Sequence, residues 1–169
     1  EAALLETAFG LVRRGHEVTV YLAPEYPPPN ESAVKILPDG SQCYRNVIFR
    51  PLVDAHVDVG QPDRYSVVCS WSDRSVLQCC HASVQRRIFI QQLNDMNGPP
   101  GFWESIDTIV AASYTQLRFL MSLIPASAGI AGAVMYSGVR PERFANAVPF
   151  AQRKPIVGWW SSPDRGLHV

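Results

Sequence analysis

Small polar residues near the end of the chain have the pattern of a phosphate-binding turn. An apolar run at 154–160 leads to Ser161 and Ser162, and a helix is predicted to begin at Arg165 and Gly166. Backbone N–H groups point away from the first turn of a helix, and the helix dipole favours negative charge there. A strand that delivers small residues to such a turn could therefore hold a phosphate group.

Polar or small residues also follow most of the predicted strands. Ligands of a doubly wound sheet bind outside the carboxyl ends of its strands, so these residues would converge on one rim. Each of them taken singly fits ordinary capping and turn chemistry equally well. Taken together, they are the candidate cleft and acceptor residues: Trp71, Asp73, Asn94, Asp95, Ser113 and Gly138.

The sequence shows no pattern of a metal site, a glycine-rich nucleotide loop or a catalytic triad. His16 is expected in a turn after the first helix, and His56 and His81 stand isolated in the sequence. The cysteines lack Cys-x-x-Cys spacing and are expected to be buried or incidental thiols in a reducing cytosol. They are Cys43, Cys69, Cys79 and Cys80. No metal and no cofactor is expected.

Composition indicates a folded domain of ordinary size. The chain has 169 residues, of which 47% are hydrophobic and 18% charged, and its net charge is zero. This balance gives no reason to expect nucleic acid as a partner. No apolar run is long enough to span a membrane, which needs about 20 residues. A cytoplasmic protein is expected, and a peripheral contact with a membrane stays open.

Hydrophobic periodicity predicts helices that alternate with strands. Helices are predicted at 2–14, 72–81, 102–105 and 114–124. Strands are predicted at 17–22, 33–37, 47–52, 65–71, 87–92, 108–112, 133–136 and 154–160, and a loop at 53–63. Because most strands are apolar throughout and their connections are short, we expect an α/β fold with one doubly wound, Rossmann-like parallel sheet that is covered on both faces.

The order of the elements predicts two domains and a truncation at each end. Since the chain opens on a helix, the first strand of the sheet, which would pair beside 17–22, is expected to be missing. Residues 1–145 are predicted to form the first domain, 146–154 a linker, and 155–169 the first strand and loop of a second domain.

Four segments, in this order and spacing, resemble the GT-B-fold glycosyltransferases, most closely the group 1, family 4-like enzymes. The likeness spans nearly the whole chain. The segments are Leu-Val-Arg-Arg-Gly-His-Glu-Val-Thr-Val (11–20), Asp-Thr-Ile-Val-Ala-Ala-Ser (107–113), Ser-Gly-Val-Arg-Pro-Glu-Arg-Phe (137–144) and Ser-Ser-Pro-Asp-Arg-Gly-Leu (161–167).

The resemblance implies two Rossmann-like domains that face a cleft, with the acceptor on the first and a UDP- or GDP-sugar mostly on the second. It implies transfer with retention of configuration and no required metal. Arg165 matches the residue that contacts the donor diphosphate, and Ser161, Ser162 and Gly166 match its loop. A guanidinium suits this role because it can grip phosphate oxygens with two parallel hydrogen bonds. The family's catalytic glutamates would lie beyond Val169, so this piece alone is expected to be inactive.

The chain departs from the family pattern at three places. Ser137 stands where the family often has Asn, and Arg140 where it often has Asp. Many members carry a histidine after the strand that here ends at Ser70 and Trp71, and this chain has none there. The contacts that these positions make with sugars in the family therefore do not carry over.

Two other functions remain open from the sequence. A non-catalytic α/β module could bind a glycan or a partner protein, because the aromatic residues near the rim suit stacking on sugars. These are Trp71, Tyr114, Trp159 and Trp160. A nucleotide-sugar epimerase on the same fold is the third possibility.

Overall fold

The computed structural model describes residues 2–23, 34–71, 73–91, 102–136 and 149–152. The chain divides into two units, Glu1–Ser137 and Gly138–Val169. The described part of the second unit is a 3₁₀ turn at Phe150–Gln152. The strand predicted at 154–160 lies outside the described residues, as does most of the linker predicted at 146–154.

The first unit is an α/β structure. Its helices are α1 (Ala2–Val12), α2 (Ala55–Val59), α3 (Ser75–Gln78) and α4 (Tyr114–Leu123), with 3₁₀ turns at Leu52–Asp54, Trp103–Ser105 and Ala126–Ala128. Its strands are β1 (Val18–Leu22), β2 (Lys35–Ile36), β3 (Gln42–Tyr44), β4 (Val47–Pro51), β5 (Val67–Trp71), β6 (Arg86–Gln91), β7 (Thr108–Ala111) and β8 (Ala131–Val134). The α/β class that the sequence predicts is confirmed.

The strands form two sheets, and the expectation of a single sheet is wrong. One sheet has the order β1-β4-β3-β2, and the other has the order β5-β6-β7-β8. The first sheet is mixed, because β3 runs antiparallel to both of its neighbours while β1 and β4 are parallel. All three pairings in the second sheet are parallel.

One face of the parallel sheet packs against two helices. Its strands add in chain order, so right-handed crossovers place α3 and α4 on the same side. That side holds Phe89 and Ile109, which are fully buried in a core with Leu77 and Leu120 from the helices. On the other side Val67 is 47% exposed and Cys69 is also exposed. This second face is thus exposed at β5, whereas Ile90 of β6, on the same face, is buried.

The mixed sheet packs against α1. Val20, Val47 and Phe49 on one sheet face form a second core with Ala8 and Phe9 of the helix. These residues alternate along β1 and β4, as the two-residue period of a strand requires.

A tight hairpin joins β3 to β4, and β3 is not among the strands predicted from the sequence. Arg45 and Asn46 both have positive φ, 50° and 63°, which is the backbone of a type I′ turn. The Arg45 guanidinium lies over the ring of Tyr44, 5.0 Å from its centroid. Because the usual glycine is absent from this turn, the local sequence signal for the hairpin is weak.

Helix α1 ends in a Schellman motif at Gly15. The N–H of Gly15 donates to the carbonyl of Val12 at 2.9 Å, and the N–H of His16 donates to that of Leu11 at 3.2 Å. Gly15 has φ of +87°, a conformation that costs glycine little. The turn position of His16 is confirmed, and the helix ends at Val12, two residues before the predicted end at position 14.

Helix α2 occupies part of the segment that the sequence predicts as a loop, so that prediction is wrong. Ala55 and Val59 are buried one turn apart, and Asp58 is buried beside them. Val53 and Val57 are 73% and 68% exposed. A five-residue helix with exposed valines shows too little periodicity to be recognised in the sequence.

A buried polar cluster connects β1 and β4 to α2. Asp58, which is 5% exposed, accepts a hydrogen bond from Tyr21 Oη at 2.5 Å and pairs with Arg50 at 3.0 Å. Tyr21 Oη also lies 2.6 Å from Tyr65 Oη, just before β5. Burial, followed by the hydrogen bonds to Asp58 and Tyr65, raises the pKa of Tyr21. The cluster thus ties the mixed sheet to the segment that enters the parallel sheet.

An ion pair between Arg87 and Asp107 lies at the amino edge of the parallel sheet, where the strands begin. Arg87 donates to Asp107 from its backbone N–H at 2.7 Å, from Nε at 3.2 Å and from Nη2 at 3.0 Å. The hydrogen bonds from Arg87 hold the pKa of Asp107 below its ordinary value. This edge lies opposite the carboxyl ends of the strands, where ligands of parallel sheets bind.

Candidate functional site

The candidate site is the carboxyl edge of the parallel sheet, meaning the residues that follow β5 to β8 together with α2. Asp73 and Ser75 follow β5, Ser113 follows β7, and Tyr136 follows β8. Trp71 is the last residue of β5 and is half-buried. These positions are brought to one edge because the four strands are parallel and adjacent.

A chain of three side chains spans two elements at this edge. Ser75 Oγ donates to Asp73 Oδ1 at 2.9 Å, and His56 Nε2 lies 2.9 Å from the same Ser75 Oγ. Asp73 and Ser75 come from the turn after β5, whereas His56 comes from α2. The structure therefore supplies a histidine to the region after β5, although the sequence places none there.

The turn that carries Asp73 is stabilised by contacts with buried residues. Ser70, which is 6% exposed, donates its hydroxyl to the backbone carbonyl of Asp73. The backbone N–H of Ser75 donates to Asp73 Oδ1 at 3.0 Å. The Arg74 guanidinium lies over the buried rings of Phe89 and Phe102, 5.8 and 5.4 Å from their centroids. These contacts anchor the segment between β5 and α3, which carries Asp73 and Ser75.

The N-cap of α3 is Arg74, which makes no side-chain cap hydrogen bond, so Asp73 is not the cap. Its carboxylate instead accepts from the backbone N–H of Ser75, as in a side-chain turn. Helix α3 ends at Gln78, three residues before the predicted end at position 81. The carboxylate therefore has a structural task as well as a place in the His56 network.

Ser113 caps α4. Its Oγ accepts from the backbone N–H of Gln116 at 3.1 Å, and Gln116 Oε1 accepts from the N–H of Ala112 at 2.7 Å. This arrangement resembles a capping box, except that the Gln116 side chain accepts from Ala112, the residue before the cap, rather than from Ser113 itself. The Ser113 oxygen thus accepts a hydrogen bond from the helix. Its O–H hydrogen could still be donated to a ligand.

Two exposed tyrosines stand at the end of the edge. Tyr114 and Tyr136 are 65% and 64% exposed, and their ring centroids are 6.2 Å apart in an edge-to-face arrangement. Tyr114 opens α4, and Tyr136 follows β8 by two residues. The pair gives this end of the edge an apolar surface with hydroxyl groups on it.

Seven of the predicted site residues lie outside the described residues. They are Asn94, Asp95, Gly138, Ser161, Ser162, Arg165 and Gly166.

His56, Ser75 and Tyr136 are not among the site residues predicted from the sequence. The Asp-x-Ser spacing of 73 and 75 is a readable signal, because it is typical of a side-chain turn. His56 is 19 residues from Ser75, so no local pattern connects them.

The thiols are free in the structure. Cys69 and Cys79 are exposed, so these two are not buried thiols. The side chain of Cys69 lies on the same face of the parallel sheet as Val67, opposite to that of Phe89. Burial raises the pKa of Cys80 to about 11, so this thiol is a poor nucleophile at neutral pH.

Neither a metal site nor a membrane span is found in the part of the chain that the structure describes. No group of three or more His, Cys, Asp or Glu side chains is placed there to hold a metal ion. None of the helices in those residues is long and apolar enough to cross a bilayer.

Comparisons with protein-family models, with curated proteins and with solved structures found no match for this chain.

Proposed function

We propose that this protein is a sugar transferase that moves a sugar from a UDP- or GDP-sugar to a hydroxyl-bearing acceptor, and that residues up to 145 belong to its acceptor side. The proposal rests on the order of the four sequence segments and on the chemistry of the carboxyl edge. A Rossmann-like GT-B arrangement, retention of configuration and a cytoplasmic location belong to the same proposal.

The observation that carries the proposal is the His56–Ser75–Asp73 chain at the carboxyl edge of parallel strands. Sugars present many hydroxyl groups, each of which donates one hydrogen bond and accepts others. Histidine, serine and carboxylate side chains supply the matching donors and acceptors. Their place outside the ends of parallel strands is where ligands of such sheets bind.

The donor side of the proposal concerns residues that the structure does not describe. Arg165 would grip the diphosphate, and Ser161, Ser162 and Gly166 would form the loop around it. Charge develops on the leaving diphosphate during transfer, and a fixed guanidinium would stabilise it.

A panel of nucleotide sugars tests the proposal. The protein, expressed from its complete reading frame, is titrated calorimetrically with UDP- and GDP-sugars, and transfer to a mixture of methyl glycosides is followed by mass spectrometry. We expect one donor to bind and be turned over, and Arg165→Ala to weaken its binding about tenfold or more, as the loss of a charge-assisted contact does. Arg13→Ala, at the exposed end of α1, is the control and should leave binding unchanged. Absence of binding to every donor would refute the proposal.

A glycan-binding module without catalytic activity is the second candidate, and the exposed Tyr114–Tyr136 pair favours it. Aromatic rings bind the apolar faces of sugars, and tyrosine hydroxyls add hydrogen bonds. Binding of glycosides with no binding or turnover of any nucleotide sugar would select this candidate.

A further inference from the structure

We infer that Nδ1 of His56 accepts a hydrogen bond from a hydroxyl group of the acceptor sugar. The inference rests on the proposed function and names one of its acceptor-binding residues. It depends on three observations: where the hydrogen of Ser75 lies, what this requires of the imidazole, and where the second ring nitrogen is placed.

The hydroxyl hydrogen of Ser75 is committed to Asp73. The two oxygens, Ser75 Oγ and Asp73 Oδ1, are 2.9 Å apart. An ionised carboxylate only accepts hydrogen bonds, so the hydrogen between these oxygens must come from Ser75. The same carboxylate oxygen accepts from the backbone N–H of Ser75 at 3.0 Å, which fixes it in place.

The tautomer of His56 follows from that assignment. Nε2 lies 2.9 Å from Ser75 Oγ, whose hydrogen already points to Asp73. Nε2 must therefore carry the hydrogen and donate it to Ser75 Oγ. In the neutral imidazole Nδ1 is then a bare acceptor, since only one of the two nitrogens is protonated.

The remaining nitrogen, Nδ1, is open to a ligand. His56 makes its one hydrogen bond within the described residues through Nε2. His56 is half-buried, and among the described residues no completely buried side-chain nitrogen or oxygen lacks a hydrogen-bond partner, so Nδ1 is not sealed from solvent. A lone pair that faces solvent, on a ring oriented through its other nitrogen, is a preorganised acceptor.

The elements that hold the ring are anchored. Ala55 and Val59 of α2 are buried on either side of His56, and Val76 and Leu77 of α3 are buried next to Ser75. His56 and its two partners are thus held by the core of the parallel sheet. A hydroxyl group is the fitting occupant, because it can donate to Nδ1 without a charge.

Two substitutions of His56 separate the roles of its nitrogens. The amide group of Asn reaches the position of Nδ1, whereas the amide group of Gln reaches that of Nε2. We expect His56→Gln to keep the contact with Ser75 and raise the KM for the acceptor about tenfold, with the KM for the nucleotide sugar unchanged. We expect His56→Asn to stay within about threefold of the wild type. His81→Gln is the control, because His81 also bonds to a serine, Ser83, but lies before β6 at the other edge.

Nitrogen NMR tests the inference separately from catalysis. In protein with ¹⁵N-labelled histidine, the His56 ring should show a protonated Nε2 and a bare Nδ1. Methyl glycosides of glucose, galactose, mannose and N-acetylglucosamine are then added, and we expect the Nδ1 resonance to shift with the one that binds.

The outcomes distinguish the two proposals. Transfer activity with an unchanged acceptor KM in His56→Gln overturns the inference and leaves the sugar transferase standing. A shifted Nδ1 resonance without turnover of any nucleotide sugar supports the inference for a glycan-binding module and refutes the transferase. A protonated Nδ1, or no shift with any glycoside, overturns the inference.

Discussion

Tyr21 donates a hydrogen bond to Asp58 at 2.5 Å. This contact joins β1 of the mixed sheet to α2, which packs against the core of the parallel sheet. Arg50 approaches the same carboxylate from β4 at 3.0 Å. Asp58 precedes the end of α2 by one residue, and His56 lies on the same short helix. The position of the candidate acceptor-binding histidine therefore depends on a polar contact on its own helix.

Replacing Tyr21 with Phe should lower the free energy of unfolding by about 1–3 kcal/mol, because it removes a hydrogen bond to a buried charged group. Asp58→Ala should cost at least as much, about 3 kcal/mol, since Arg50 then keeps only its longer contact of 3.8 Å with Asp54. Urea unfolding followed by circular dichroism measures both changes.

Tyr114→Phe is the matched control for the first substitution. Tyr114 is 65% exposed, so loss of its hydroxyl should change the free energy of unfolding by less than about 0.5 kcal/mol. Equal effects of the two Tyr→Phe changes would contradict a stabilising role for the Tyr21–Asp58 contact.

Two glycines of the first helical segment should respond to alanine in opposite directions. Gly15→Ala forces a Cβ into a backbone with φ of +87° and should destabilise the protein by about 1 kcal/mol. Gly10 lies inside α1, where a Cβ would meet Arg13 Nη2 at an ordinary 3.8 Å. Gly10→Ala should therefore stabilise by up to about 1 kcal/mol. Thermal unfolding of both variants checks the signs, and a gain in stability for Gly15→Ala would rule out the Schellman ending.

Strong local patterns made part of the fold predictable. Helix α4 has a clear apolar face and a serine cap, α1 ends at a glycine, and β7 is a continuous apolar run. The hairpin at Arg45 and Asn46 lacks its usual glycine, and α2 is too short to show a period. Tertiary packing determines whether these two elements form, so the sequence pattern alone could not predict them.

The candidate site was only partly predictable, because tertiary packing also brings some of its residues together. Polar residues at strand ends can be recognised along the chain, and Asp73 and Ser113 were found in that way. His56 reaches Ser75 because α2 and α3 both pack on the core of the parallel sheet. The sequence separates them by 19 positions and contains no motif that joins them.

Ser113→Ala should test whether the hydroxyl serves the helix. Loss of the cap should lower the free energy of unfolding by about 1 kcal/mol, whereas Ser113→Thr should keep most of it. Ser122→Ala is the control, because Ser122 Oγ donates to a carbonyl within α4 and caps no free N–H. Chemical denaturation measures all three variants. A stability loss for Ser122→Ala as large as that for Ser113→Ala would contradict the capping role.

The pair of Arg87 and Asp107 should make stability depend on acid pH. The hydrogen bonds from Arg87 lower the pKa of Asp107 in the folded state. The stabilisation is therefore present in full above the unfolded-state pKa of about 3.9, and it is lost as pH falls through the lower pKa of the folded state. At pH 7, Asp107→Asn should cost about 1 kcal/mol, because the pair is partly exposed. Below both pKa values the free energies of unfolding of the variant and the wild type should converge.

Urea unfolding at pH values from 7 to 2 measures the difference in the free energy of unfolding, with Glu104→Gln at an exposed carboxylate as the control. A difference that stays constant over this range would show that the ionised form of Asp107 contributes nothing.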